Sequence, residues 1–157
     1  MDREFLTNSR FYLELSLDGS NDSVDAVFAE CKGFKPTQDV IEACEVTPVQ
    51  WGKASRGKVV RTKIPGNEKF TNLVLKRGLT SSMTIWNWFE AVKEGNWAKQ
   101  RRDGSLSIYD QAGDMQARFE FRGAWPTSYV VADLNVGGSD IEIEEMEVAI
   151  EELKRVQ

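Results

Sequence analysis

The sequence predicts a mainly β chain of the α+β class. Its strands pack as a sandwich or barrel, one amphipathic helix closes the open end, and one long hairpin stands apart. Three observations carry this. Apolar and polar residues alternate over several short runs bounded by Gly, Asn and Asp, the period-2 signature of half-buried strands. One segment, residues 81–95, switches to a period of 3.6. A third segment, residues 45–66, reads as two extended stretches around a glycine-containing turn, with low apolar content. At 157 residues the chain has the size of a single domain, expected to span residues 1–157. A chain of that length buries roughly 68–70% of its unfolded surface and needs no disulfide or metal staple.

Taken in order, Phe11, Leu13, Leu15 and Leu17 alternate with Tyr12, Glu14 and Ser16, a strand ended by Asp18-Gly19-Ser20-Asn21. Residues 24–31 make a second strand, broken by Gly33, and residues 40–47 a third. Residues 105–110 and the run Met115, Ala117, Phe119, Phe121 flank Gln111-Ala112-Gly113-Asp114, a hairpin signal. After Gly123, residues 125–132 form another strand. In residues 81–95, Ile85, Trp86, Phe89 and Val92 share one helical face, with an N-cap expected at Thr80 or Ser81 and a stop at Gly95. Core packing is the reading for Trp86, Trp88 and Phe89. Toward the C-terminus, Ile141 and Ile143 alternate, then Met146, Val148 and Ile150 alternate on the opposite parity. A strand there needs a bulge near Glu144-Glu145. Ile143, Met146, Ile150 and Leu153 equally fit a helical stripe, so periodicity leaves both open.

Composition excludes several function classes. The chain has no histidine, so Ser-His-Asp and Cys-His catalysis and every His-ligated metal site are impossible. Two cysteines, Cys31 and Cys44, are too few for a thiolate zinc or iron–sulfur site. They are expected to be buried thiols in a chain made in the cytoplasm without a signal peptide, and no apolar run approaches the roughly 18 residues of a membrane span. The glycines fit neither a P-loop nor a dinucleotide fingerprint. No cofactor is expected, and the net charge of −5 argues against specific nucleic-acid recognition.

The charge is unevenly placed. Residues 46–66 carry five cations, Lys53, Arg56, Lys58, Arg61 and Lys63, and no acid, whereas residues 140–152 carry seven acids and no cation. The first block belongs to the hairpin: residues 46–51 go out, 52–57 turn and 58–64 return. A two-stranded ribbon with few apolar residues is marginal alone in water. It is either a mobile surface loop or an arm that orders on another subunit, with Trp51 as its anchor and its cations meeting acids elsewhere.

Several short stretches share one further property. Ile64-Pro65-Gly66, Lys69-Phe70, residues 73–80 (LVLKRGLT), Trp86-Asn87-Trp88, Gly123-Ala124-Trp125-Pro126, Ala132-Asp133-Leu134-Asn135 and the ending IEIEEMEVAIEEL resemble, in order and over nearly the whole chain, the inner tube proteins of contractile phage tails and related bacterial injection systems. That resemblance implies a two-sheet β-sandwich or half-barrel with the helix at its edge and the hairpin protruding. It favours a strand for residues 141–150. It implies six copies closing a ring around a channel, rings stacking into a tube, and ring stacking by the hairpin through Trp51, Lys53, Arg56, Lys58, Arg61 and Lys63. It also implies sheath, baseplate or spike proteins and a cargo or tape-measure protein as partners. The chain would then act inside a phage tail or injection particle, be it extracellular, cell-anchored or cytoplasmic. The loop 94–104, with its tryptophan and basic cluster, has no counterpart in that pattern. An assembly subunit needs no catalytic groups; the alternative is a monomeric β-barrel holding a small ligand, and an acid–base enzyme using Asp or Glu is a further one.

Overall fold

The structure, a computed structural model, describes residues 6, 9–15, 28–50 and 57–157. The chain forms two compact units, one from residues 36–69 and one from the segments on either side of it.

The larger unit is built from β1 (Phe11–Leu15), β2 (Glu30–Lys32), β5 (Leu73–Gly78), α1 (Thr84–Ala91), α2 (Trp97–Gln100), β6 (Arg102–Tyr109), β7 (Met115–Val131), β8 (Ile143–Ala149) and β9 (Glu152–Arg155). The strands pair antiparallel in the order β1-β6-β7-β8-β5-β2, with β9 also on β7. The 17-residue β7 belongs to two sheets. Its first part pairs with β6 (Phe119 opposite Leu106) and with β9 (Phe121 opposite Leu153). Its second part pairs with β8 (Tyr129 opposite Met146). The two halves meet at Gly123, whose φ of 65° is the left-handed region glycine tolerates best. A Cβ there would come within 2.6 Å of the Glu151 carboxylate. What the sequence suggests as two strands flanking Gly123 is therefore one strand that turns between sheets, a recognised way to build a sandwich corner.

Alternation places the core between the two halves. Leu13, Leu106 and Phe121 come from one sheet, Leu73, Leu75, Met146 and Val148 from the other, and Ile85 and Trp88 from α1. Burying each such side chain is worth about 1.5–3 kcal/mol. The turn 110–114 forms as expected, with the Asp110 carboxylate accepting from Asp114 N–H at 2.8 Å and Gly113 at φ 93°. That backbone hydrogen bond is the main reason the Asp110 carboxyl lies below its ordinary range.

The helix differs from expectation in two ways. It starts at Thr84, with Met83 in the N-cap position and no side-chain cap; the Thr80 and Ser82 hydroxyls accept from Ser82 N–H and Thr84 N–H in the preceding turns instead. It stops where expected, at Gly95, whose φ of 99° breaks the helical backbone and kinks the chain into α2. And Trp88, not Trp86 or Phe89, is its buried tryptophan, 4% exposed and donating from its indole N–H to Gln100 O at 2.7 Å. Trp86 and Phe89 are half-buried around Tyr129 of β7, at ring separations of 5.2 and 6.3 Å.

The C-terminal ambiguity resolves as strand, with no register break in the pairing of β8 with β5. Ile143 faces out and Glu144, not an apolar residue, takes the first inward position ahead of Met146 and Val148. The bulge lies on the partner, between Pro126 and Ser128 of β7, where a buried proline cannot donate to the ladder. Of the strand expected at 24–31, Glu30–Lys32 is strand, and residues 24–27 lie outside the described residues. Both cysteines are free; Cys31 is half-buried, and Cys44 is exposed rather than buried because it lies on the two-stranded ribbon.

The smaller unit is that ribbon. β3 (Pro36–Gln50) and β4 (Gly57–Phe70) pair only with each other. The separate strand expected at 40–47 and the outgoing half of the hairpin are one element.

Candidate assembly surfaces

The ribbon has no core of its own. None of its described side chains is buried, and Val40, Ile41, Val46, Val59, Val60 and Ile64 are all exposed. At about 3.3 Å per residue its strands run for roughly 50 Å. Ion pairs Lys69–Asp39 (2.8 Å) and Arg61–Glu42 (3.4 Å) link the two strands; both are exposed, and such pairs contribute about 0–1 kcal/mol each. So Arg61 is opposed by an acid of its own ribbon, which the charge count alone does not reveal. Lys63 is exposed beside Ile64 and Pro65, and Lys58 lies on β4. Trp51, Lys53 and Arg56 lie outside the described residues.

The seven acids of 140–152 do not form one free face. Glu144 is 5% exposed and receives Arg77 Nε on one oxygen and the Tyr129 hydroxyl on the other. Burial, then the Glu144 hydrogen bond and charge, push the Tyr129 phenol up to about 12. Glu145 pairs with Lys76 at 3.2 Å, Glu147 accepts from the Asn72 amide at 2.7 Å, and Glu151 pairs with Arg101 at 2.7 Å. Asp140 and Glu152 are exposed and make no ion pair among the described residues. The sequence shows the acidic run but not which of its members are spent inside the subunit.

The loop 94–104 has a definite structure. Arg101 lies 5.3 Å over the Trp97 ring while it pairs with Glu151, and Trp97 sits 6.3 Å from Trp125 of β7. The basic cluster thus fastens α2 to β7 and to the β8–β9 turn.

A further surface escaped the sequence reading. The loop joining β7 to β8, residues 132–142, walls a concavity of about 540 Å³ together with Ile143. Leu134, Val136 and Ile141 on it are nearly or fully exposed. The available signal was three large apolar residues in a Gly- and Asp-rich turn, where none is needed for a fold.

No group of metal-ligating side chains occurs among the described residues. Burial pushes the Cys31 thiol up to about 12, with the Glu30 charge adding to it, so it is a poor nucleophile at neutral pH. The larger unit offers a sandwich with an exposed apolar loop, and the smaller a ribbon none of whose described side chains is buried. Residues 7–154 match the family model described as T4-like virus tail tube protein gp19. The chain belongs to that tail tube family. Its members are structural tube proteins, and this protein is a structural subunit of a tail tube. The sequence matches no curated protein. Among solved structures, the chain is similar in fold to a chain of the sheath–tube complex of an extracellular contractile injection system, PVC, in its extended state (TM-score 0.73, 19% identity, covering 96% of this chain and 90% of that one). It is likewise similar to a chain of the anti-feeding prophage tube-terminating cap (TM-score 0.76, 18% identity, 99% and 93% covered). A third is a chain of the PVC sheath/tube terminator (TM-score 0.75, 18% identity, 99% of both). The two-sheet fold and helix expected of a tube protein are those observed. No helix among the described residues is long and apolar enough to cross a membrane.

Proposed function

We propose that this tail tube subunit acts as a single unit over residues 1–157, closes six-membered rings, and stacks them head to tail into a hollow conduit. One observation supports this most: the ribbon of β3 and β4 holds exposed valines and isoleucines with no buried residue among those described. A lone two-stranded ribbon of that kind is marginal in water and gains stability by lying on another surface. Repeating one subunit head to tail requires two different complementary surfaces on one chain, and the basic hairpin is one of them. Trp51, Lys53, Arg56, Lys58, Arg61 and Lys63 carry the stacking contact: Trp51 supplies buried area, the cations set register and encounter rate. Within a ring, the outer edges of β1 and β2 are paired or covered by neighbours, since bare edges invite uncontrolled association.

The reading extends to partners. A sheath surrounds the tube, a baseplate or spike complex starts it, a terminator caps it, and cargo or a tape-measure protein fills the channel. The subunit has no catalytic role and works inside a phage tail or contractile injection particle, binding no specific nucleic-acid sequence. Light scattering after size exclusion tests this. A ring-former shows multiples of the 17.8 kDa chain mass that grow with concentration; a mass fixed at one chain at every concentration overturns the reading. Trp51→Ala then shortens tubes at moderate salt, while Arg56→Glu with Lys58→Glu slows assembly most at low salt, where screening is weakest.

A further inference from the structure

We propose that the β7–β8 loop is the seat on which the hairpin of a second copy of this chain docks. The inference rests on the stacked-ring reading and names the receiving surface that reading leaves open.

The loop is held rigidly in an exposing conformation. Ala132 N–H donates to Ile143 O at 3.0 Å, Leu79 N–H to Glu142 O at 2.9 Å and Gly138 N–H to Asn135 O at 3.0 Å. Gly137 N–H donates to the Asn135 side-chain oxygen at 3.0 Å. Leu134, Val136 and Ile141 therefore remain 79%, 108% and 80% exposed on a pinned backbone. Scattered single apolar residues on a surface need no explanation, but a cluster lining one concavity marks an interaction site.

The sign of the charge selects the occupant. Residues 123–153 contain no Lys or Arg. Asp133 and Asp140 sit on the wall of the concavity, and Glu142 adds a carboxylate oxygen that is enclosed and without a hydrogen-bond partner among the described residues. An enclosed, unpartnered negative charge favours an incoming cation. Residues 46–64 supply what this seat lacks: five cations, one of which, Arg61, also pairs with Glu42 of its own ribbon, and exposed Val46, Val59, Val60 and Ile64. One chain thus carries an apolar, acidic concavity and, over residues 46–64, a hairpin segment with exposed apolar residues and cations but no acid. A contact between unlike surfaces on identical chains is heterologous and repeats without closing, which is the symmetry of a stack.

Two charge-reversed variants decide it. The loop variant carries Asp133→Lys and Asp140→Lys; the hairpin variant carries Lys58→Glu and Lys63→Glu. Asp133, Asp140 and Lys63 are exposed and Lys58 lies on β4, and unchanged urea midpoints confirm folding. Each variant alone is expected to raise the concentration needed for tube growth by about tenfold or more, as loss of central contacts does. Mixed one to one, they are expected to regain tube growth, because the two reversed residues of one variant's hairpin then face the two reversed residues of the other's loop, and the unaltered hairpin and loop meet as in the wild type. Loop-variant tubes of normal length and rate overturn the proposal. So does restoration only when all four substitutions share one chain, since the hairpin would then sit on its own loop, and so does failure of both the mixture and that combined chain, since the seat would then serve a different protein. If wild-type chain builds no tubes at all, the stacked-ring reading itself falls, an outcome distinct from these.

Discussion

Glu144 is the residue whose replacement tests the interior most sharply. It is 5% exposed, on the inward parity of β8. One oxygen receives Arg77 Nε and the other the Tyr129 hydroxyl, while Arg77 is itself 3% exposed. Glu144→Gln keeps the shape and removes the charge that Arg77 Nε and the Tyr129 hydroxyl face in the interior. Breaking a buried pair from one side costs about 3–5 kcal/mol. With a urea m value of about 2 kcal/mol/M for a chain of this size, the unfolding midpoint falls by roughly 1.5–2.5 M. The assay is urea unfolding followed by tryptophan fluorescence at concentrations too low for assembly. Replacing all three groups together (Arg77→Met, Glu144→Leu, Tyr129→Phe) recovers most of that loss, because an apolar cluster of similar volume carries no desolvation penalty. A loss below about 1 kcal/mol for Glu144→Gln, the worth of an exposed pair, would refute the claim that this triad is desolvated.

Two other expectations follow from packing and titration. Trp88→Ala should cost about 3–5 kcal/mol and Phe89→Ala clearly less, about 1–2 kcal/mol, because only the first ring is fully enclosed; thermal melting ranks them, and the reverse order would mean the helix presents its other face. Stability should fall as pH rises above 9. The Cys31 thiol moves from 9.0 to about 12 and the Tyr129 phenol from 10.0 to about 12 in the folded chain, so each stays protonated when its unfolded counterpart has ionised. A raised folded pKa gives stability that is whole below the unfolded value and is lost toward the folded one, here between pH 9 and 12. Urea midpoints measured from pH 8 to 11 check this; Cys31→Ala should delay the onset by about one pH unit, and a flat profile would contradict the burial of both groups.

How much of this was legible in the sequence depends on what each signal encodes. Alternation found β1, β6 and the first half of β7 because one face of each is buried and the other wet. It split β7 at Gly123 because a glycine that turns a strand between sheets and a glycine that ends one look the same in sequence. The parity change at Glu144 was read as a bulge because an inward carboxylate is costly unless paired, and its partner Arg77 lies 67 residues away in sequence. The helical face was found, but Trp88 was placed second to Trp86 and Phe89, since the indole N–H that lets Trp88 be buried bonds a carbonyl of α2, beyond the glycine stop. The hairpin was found from charge and turn chemistry, yet its strands proved longer, because nothing in a two-stranded ribbon forces alternation. The seat at 132–142 was missed because exposure of an apolar residue is a property of the fold and not of the residue.

The central claim is that this chain exists to repeat itself. Electron microscopy of the purified protein at high concentration tests it most directly. Hollow tubes of stacked six-fold rings are expected, with the β3–β4 ribbon of each subunit lying on the β7–β8 loop of a neighbouring ring. Dispersed single subunits at every concentration would contradict it.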